Sequence, residues 1–463
     1  MIRLFRVFVP ASVVALLLSE VILITFCFVL ATYMVLEVDP TVFLLYDGGL
    51  TRILLVVVSI LLGLHFQDLY SRFKVTAQVI LAQQLCLVMG LAFLAQGVIS
   101  YLNAELRLPI RIMLAGGFLT IVVIFFWRVF YSAFVLRVVG AQRILFVGNS
   151  PLIEEIQTHI EEHPELGLVS AGCIDNRSPE EEPRCHGKLL SPLRLLREIV
   201  NAVKPDRIIV GMKERRQRMP VDDLLELRLA GCFIEEAATA YENICGRISV
   251  AELRPAQLIF SGELGPRTKS VFFQTMFNLA FASVGTLLSF PLMLLSAAAV
   301  RFSSPGPILY RQKRVGQDGG TFMVYKFRSM YVDAEAGTGA VWATKDDPRI
   351  TPVGRVLRKL RLDELPQFFN VLRGEMSIVG PRPERPEFVQ ALSEQIPYYR
   401  QRHCVKPGIT GWAQINYKYG DTQEDTIRKL EYDLYYIKNM SQSLDSYIIF
   451  HTVKTMLLSR GAQ

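Results

Sequence analysis

Four long apolar runs in the first 140 residues constrain this chain more than any other feature. They cover residues 9–36, 50–66, 77–102 and 112–136. A hydrocarbon core about 30 Å thick takes about 20 helical residues, and each run is near or above that length. The pattern predicts a four-helix transmembrane bundle over residues 1–139. The first run is too long for the core of a signal peptide and has no clean cleavage site. It contains Glu20, whose carboxylate is expected to face a neighbouring helix rather than lipid. Lys and Arg near the helix ends set the orientation. Arg3 and Arg6 precede the first run, Arg72 and Lys74 follow the second, and Arg137 and Arg143 follow the fourth. The first connection carries Glu37, Asp39 and Asp47 instead. The best fit places the N-terminus, and everything beyond residue 137, on the cytoplasmic side.

A chain of 463 residues is too long for one ordinary domain, and two or three are expected. Charged residues make up 20% and hydrophobic ones 51%, which argues against a wholly soluble chain and excludes a disordered one. The net charge of +7 would suit nucleic acid in a soluble protein. Here it is the ordinary cytoplasmic-loop bias, it also suits phosphate-bearing substrates, and no nucleic-acid partner is expected. Seven cysteines, with no CxxC pair, give neither a disulfide framework nor a zinc site.

After Gly140 the pattern turns to alternating strands and helices. Residues 143–148 (RILFVG), 168–175, 206–211 and 232–235 read as strands. Residues 151–163, 192–203 and 221–230 have helical spacing. Such alternation predicts a parallel sheet with right-handed crossovers, a Rossmann-like module over residues 140–262. The turn Gly148-Asn149-Ser150 sits where a dinucleotide fold holds phosphate, but only the first glycine of GxGxxG is present. The module therefore reads as accessory, and a homodimer through it is compatible with the sequence.

No charged residue occurs between Lys269 and Arg301. A straight helix of that length, about 45 Å, is long enough to span. Pro291 in its interior removes a backbone hydrogen bond, so a helix–break–helix that enters and leaves by one face is expected, with Ser289 partnering a freed backbone group. If the segment crossed, no later run would bring the charged remainder back.

Short stretches then follow closely: 304–307 (SPGP), 311–316 (RQKRVG), 325–330 (YKFRSM), 362–367 (LDELPQ), 374–383 (GEMSIVGPRP) and 406–414 (KPGITGWAQ). Read residue by residue, they suggest phosphate chemistry. Asp363 and Glu364 are adjacent acids that can divide the roles of nucleophile and Mg²⁺ ligand. Lys326, Arg328, Arg358, Arg361 and Arg382 are cations able to neutralise diphosphate oxygens. An Asp-Glu pair by itself is more often a favourable helix start.

Taken together, residues 268–463 resemble the bacterial sugar transferase family, the monotopic polyprenol-phosphate phosphoglycosyl transferases. The four helices and the α/β module ahead of them are similar to the long members of that family, and the N-terminal half looks most like the exosortase-associated (PEP-CTERM) subgroup. The resemblance implies a membrane protein of α plus α/β class: a mainly α-helical catalytic domain at 268–463, with a re-entrant helix at about 271–302 containing Ser289 and Pro291. It implies transfer of sugar-1-phosphate from a UDP-hexose to undecaprenyl phosphate, with UMP released and an exopolysaccharide or related glycan begun. It also implies a covalent intermediate on Asp363, with Mg²⁺ on Glu364 and Glu375. Lys326, Arg328, Arg358, Arg382 and Lys406 would bind substrate phosphate. The implied setting is the bacterial cytoplasmic membrane, with the catalytic domain on the cytoplasmic side. Two positions depart from the family pattern. Phe290 separates Ser289 from Pro291, and Asn278 stands where many members carry Asp.

Other features invite plainer readings. Trp412 is read as core packing as readily as a substrate contact, and His403 as structural. Residues 433–439 (DLYYIKN) read as an amphipathic helix at the membrane surface. The apolar run at 447–458 is too short to span. A membrane-anchored nucleotide sensor would keep the glycine fingerprint and need no acidic dyad. A sugar-modifying oxidoreductase on the middle module would need GxGxxG and a Tyr-xxx-Lys pair. The chain has neither set.

Overall fold

The computed structural model describes residues 2–4, 7–9, 11–37, 39–67, 69–70, 78–132, 142–163, 166–175, 189–191, 193–212, 219–253, 268–332, 334, 347–417 and 422–457. Arg6, Arg72, Lys74 and Arg137, which set the expected orientation, lie outside them, as do residues 254–267 at the expected domain boundary. Contacts divide the chain into two compact units that meet at residues 237–238.

The first unit opens with the expected helices: α1 (Ala11–Val35), α2 (Gly49–Phe66), α3 (Gln78–Leu102) and α4 (Ile110–Phe130). Each is long and apolar enough to cross a bilayer. α1 packs chiefly on α4, and α2 on α3. Ile24, Phe28, Ile60, Leu64 and Ile112 fill the core, while Ile22, Phe26, Leu94 and Phe118 point outward. At Gly116 of α4 a Cβ would lie 2.5 Å from the Phe28 ring, so the missing side chain lets α1 and α4 approach. Glu20 faces a neighbour, as expected. It pairs with Arg128 of α4 at 2.7 Å, and the Tyr70 hydroxyl donates to it at 2.6 Å. A charge buried between membrane helices is tolerated when it is paired.

The same unit holds a parallel five-stranded sheet. Its strands are β1 (Gln142–Val147), β2 (Leu168–Ile174), β3 (Leu189–Ser191), β4 (Arg207–Val210) and β5 (Phe233–Glu236), in the order β3-β2-β1-β4-β5. Helices α5 (Pro151–Glu162), α6 (Leu196–Val203) and α7 (Val221–Leu229) connect them. The sequence showed four of these strands. β3 was missed because three residues paired to one edge give no alternation to detect. Gly148 has φ +101°, and a Cβ there would collide with the Gly211 carbonyl, so this glycine serves the close approach of the β1 and β4 ends. Cys173 is disulfide-bonded, although nothing in the sequence pointed to a disulfide.

The second unit begins at Ala238, within α8 (Ala237–Cys245), earlier than the family motifs do. Trp412 Nε1 donates to Gly246 O at 2.9 Å, and Lys438 pairs with Glu242 at 2.8 Å. Val250 packs with Ile396, Leu430 and Leu434. The segment is thus built into the domain that follows it. That domain is mainly helical, with α9 (Thr268–Ser303), α10 (Pro352–Lys359), α11 (Gln367–Leu372), α12 (Pro386–Gln395), α13 (Trp412–Asn416), α14 (Gln423–Asn439) and α15 (Gln442–Leu457). Two small sheets complete it: the antiparallel pair β6 (Leu309–Val315) and β7 (Thr321–Phe327), and the parallel pair β8 (Ser377–Val379) and β9 (Gly408–Thr410).

Two sequence readings change here. α9 stays helical across Pro291, so the expected break is not an interruption of the helix. The Ser289 hydroxyl donates to Gly285 O at 2.6 Å, not to the Leu287 carbonyl that a proline at 291 leaves without its N–H. Residues 433–439 do not lie on a surface either. Tyr435 and Tyr436 are 2% and 1% exposed. Tyr435 stacks on Trp412, and Tyr436 donates to Asp445 at 2.8 Å. Leu444 and Ile448 of α15 are buried in the same core.

Candidate active site

The site begins with a turn. Thr351 caps α10 by accepting from Gly354 N at 2.9 Å. Gly354 has no room for a Cβ because the Ser329 carbonyl sits against it, so α10 is seated on the 328–330 segment. Beyond α10, Arg361 adopts φ 54°, a left-handed conformation that costs a non-glycine residue on the order of 1 kcal/mol or more. This reversal leads into the short 3₁₀ turn Leu362–Glu364 and then α11. Asp363 and Glu364 are thereby set on the wall of a cavity of about 1270 Å³, each less than a tenth exposed.

β7 supplies the opposing cation. Asn370 of α11, fully buried, accepts from Tyr325 N at 3.1 Å and donates to Met323 O at 2.7 Å. These bonds fix the strand so that Lys326 Nζ reaches Glu364 Oε1 at 2.8 Å. Arg382 donates to the same oxygen at 3.0 Å, and Arg361 pairs with Oε2 at 3.4 Å. Burial pushes Glu364 up, but Lys326, Arg382 and Arg361 outweigh it and hold the carboxyl well below the usual range. Asp363 has no hydrogen bond or ion pair among the described residues. Burial and then the neighbouring Glu364 charge push it above the ordinary aspartate value, and Lys326, Arg358 and Arg382 only partly offset them. Two adjacent acids are therefore unlike: one is clamped, the other, among the described residues, has no partner in a basic cavity.

Lys326, Arg358 and Arg382 line that cavity together with both acids. Arg328 lines it too, but its guanidinium is turned away. It donates to Pro305 O at 2.6 Å, Ser304 O at 2.7 Å and Ser304 Oγ at 2.9 Å, which staples β7 to the end of α9. Glu375 and Lys406 are not on the wall. Glu375 accepts from Asn370 at 2.7 Å, and the Lys406 ammonium lies beside Gly374. His403, held down to about 4 by burial and the Arg402 charge, is neutral at pH 7, as a structural histidine would be. Arg314 and Arg402 also line the cavity, and sequence reasoning singled out neither. Arg314 stood in the quoted RQKRVG stretch, whereas nothing local marks Arg402, whose partner Asp433 is 31 residues away.

Among the described residues no cluster of three His, Cys, Asp or Glu could cage a metal ion. One or two carboxylates that leave the remaining positions to substrate phosphate and water are how Mg²⁺ is usually held. Asp363 offers a carboxylate of that kind, whereas both Glu364 oxygens are held by cations, one of which a metal there would have to displace.

A family model for bacterial sugar transferases matches residues 269–459. The chain is 40% identical over 272 residues to the UDP-N-acetylgalactosamine-undecaprenyl-phosphate N-acetylgalactosaminephosphotransferase of Aeromonas hydrophila, covering 57% of this chain and 62% of that one. It is 51% identical over 174 residues to a UDP-glucose:undecaprenyl-phosphate glucose-1-phosphate transferase of Xanthomonas campestris pv. campestris, covering 37% and 36%. In both cases the match spans less than two thirds of the relative. A Klebsiella pneumoniae protein with that same name is 32% identical over 413 residues, covering 87% of this chain and 80% of its own. The last match runs through both units.

Proposed function

The chain belongs to the bacterial sugar transferase family, and from that premise we propose that it moves a sugar-1-phosphate from a UDP-hexose to undecaprenyl phosphate. The products are UMP and a polyprenyl-diphosphate sugar, the starting point of an exopolysaccharide or related glycan. The observation that carries the reading is the division of the dyad. Glu364 is locked by three cations, while Asp363 beside them has no partner among the described residues.

Asp363 is the nucleophile in this account. One of its oxygens attacks the β-phosphorus of the sugar nucleotide. A P–O bond to the carboxylate forms, the bond from that phosphorus to the bridging oxygen breaks, and UMP leaves with the electron pair. A phosphate oxygen of the lipid acceptor then attacks the same phosphorus and displaces the Asp363 carboxylate. Lys326, Arg358 and Arg382 neutralise diphosphate oxygens in both steps. Glu364 gathers Lys326 and Arg382 around the reacting group and would hold Mg²⁺ beside Asp363. Bound there, the metal supplies charge neutralisation at the diphosphate. A panel of UDP-hexoses and UDP-N-acetylhexoses with undecaprenyl phosphate in nanodiscs tests the reading. UMP release beyond one equivalent per enzyme, dependent on acceptor, is expected with at least one donor; none with any donor would refute it.

The membrane geometry supports the same reading. α9 has 36 residues and is about 54 Å long. The catalytic unit grips it from end to end. Gln274 donates to Asp445 at 2.8 Å, Asn278 to Ser377 at 2.9 Å, and Met293 and Val300 pack with Phe327 and Leu357. Those contacts run along about 40 Å of helix, more than the thickness of the hydrocarbon core. A spanning α9 would leave this one charged unit gripping it on both sides of the bilayer. Phe272, Leu287, Leu288 and Leu295 instead form an outward apolar stripe for lipid on one side. These contacts, with the Lys and Arg bias of the N-terminal loops, support a catalytic unit lying wholly on the cytoplasmic face of the bacterial inner membrane. Cysteines introduced at Lys269 and Arg311 should be labelled from the same side. Labelling from opposite sides would replace this topology with a fifth crossing.

A further inference from the structure

We infer that Arg402 is a positioning residue that sets the phosphate-binding side chain of Arg382, a role that rests on the transferase reading of the cavity. Arg382 lies between Pro381 and Pro383, and its guanidinium reaches Glu364 Oε1 at 3.0 Å. Four successive backbone carbonyls of this turn are each held by a different donor. Pro381 O accepts from Gly408 N at 2.9 Å. Arg382 O accepts from Arg402 Nη2 at 3.1 Å. Pro383 O accepts from Arg314 Nη1 at 3.0 Å, and Glu384 O from Val315 N at 2.9 Å.

Prolines on both sides narrow the backbone choices, and the four bonds remove most of the rest. The carbonyl of Arg382 itself is assigned to a side chain, and that side chain is unusually well fixed. Arg402 is 6% exposed, and its Nε and Nη2 reach Asp433 Oδ2 at 3.0 and 2.8 Å. Its Nη1 donates to the Tyr399 hydroxyl at 2.8 Å. A guanidinium can hold a carboxylate, a phenol and a carbonyl at once because its donors form a rigid fork. A lysine ammonium at the same place cannot reproduce that geometry. A continuous chain therefore runs from Asp433 through Arg402 to the backbone of Arg382, and from its side chain to Glu364 beside Asp363. Arg402 has no need to touch substrate to matter: a shift of about 1 Å in a positioned group can cost about 100-fold in rate.

The test is a double-mutant cycle of wild type, Arg402→Lys, Arg382→Ala and the pair, in the full-length protein in nanodiscs. It is read on UDP binding by calorimetry, which needs no turnover, and on kcat for transfer. Arg402→Lys should lower kcat by about 10- to 100-fold and weaken UDP binding. In the Arg382→Ala background it should change neither by more than about 2-fold, because the group it positions is gone. Equal factors in both backgrounds would show a general structural role and overturn the inference. So would a loss that only follows a fall in thermal midpoint. Tyr399→Phe, which keeps Arg402 but removes one of its clamps, guards against misfolding of the lysine variant and should give a smaller effect with the same dependence on Arg382. A non-additive UDP cycle in a protein that transfers nothing would sink the transferase reading alone. Failure of the wild type to bind UDP would sink both.

Discussion

Asp363→Asn is expected to lower net transfer by about 10⁴-fold or more, the scale on which removing a covalent nucleophile acts. The amide keeps the shape of the carboxylate, so the cavity, the Lys326–Glu364 bond at 2.8 Å and the Arg382–Glu364 bond at 3.0 Å should persist. Binding of UDP should survive for the same reason. What is lost is the one carboxylate in the cavity wall without a partner among the described residues. Steady-state UMP release and calorimetric UDP binding on the same preparation separate the two. Ordinary turnover in the variant would mean that the acceptor attacks the sugar nucleotide directly. The kinetics would then be sequential rather than ping-pong.

Glu364→Gln should cost about 100-fold in kcat/KM and respond differently to metal. Glutamine keeps the length of the side chain but removes the charge that holds Lys326, Arg361 and Arg382 together. Those cations are 24%, 31% and 29% exposed, so water screens much of their repulsion and the fold should lose little stability. Catalysis should lose more, because cations that had fixed positions beside Asp363 become mobile. With Glu364 as the Mg²⁺ ligand, half-saturation by Mg²⁺ should move to higher concentration, and added metal should restore part of the rate. No concentration of metal should restore Asp363→Asn. A Glu364→Gln enzyme with unchanged Mg²⁺ dependence would remove Glu364 from the metal.

What could be read from sequence, and what could not, divides by range. The four N-terminal helices and most of the parallel sheet are written in local periodicity, at 2 or 3.6 residues per repeat, and so were legible. Glu20 was legible as inward-facing because an unpaired carboxylate in lipid is costly, although its partner Arg128 lies 108 residues away and could not be named. The dyad was legible as chemistry, since two acids amid short basic and Pro/Gly-rich stretches have few other uses. Its division was not. That depends on Lys326, 38 residues before Glu364, and Arg382, 18 after it, meeting one oxygen. Arg328 misled because a cation in a phosphate-binding stretch looks the same whether it faces the cavity or the Ser304 and Pro305 carbonyls. Tyr435 and Tyr436 misled for a similar reason. A tyrosine pair suits a membrane surface, but it suits a core equally well when Trp412 and Asp445 are waiting there. Pro291 was read as a break by its local rule, yet α9 is a single helix that runs through it.

In the proposed mechanism Asp363 carries the phosphosugar. Incubating the full-length protein with a turned-over UDP-sugar, without acceptor, and measuring intact and peptide mass tests it most directly. An added sugar-phosphate is expected on the peptide containing Asp363. That adduct should be discharged by undecaprenyl phosphate and absent from Asp363→Asn. A wild-type protein that turns over yet shows no adduct, or one whose adduct maps to another residue, would contradict it.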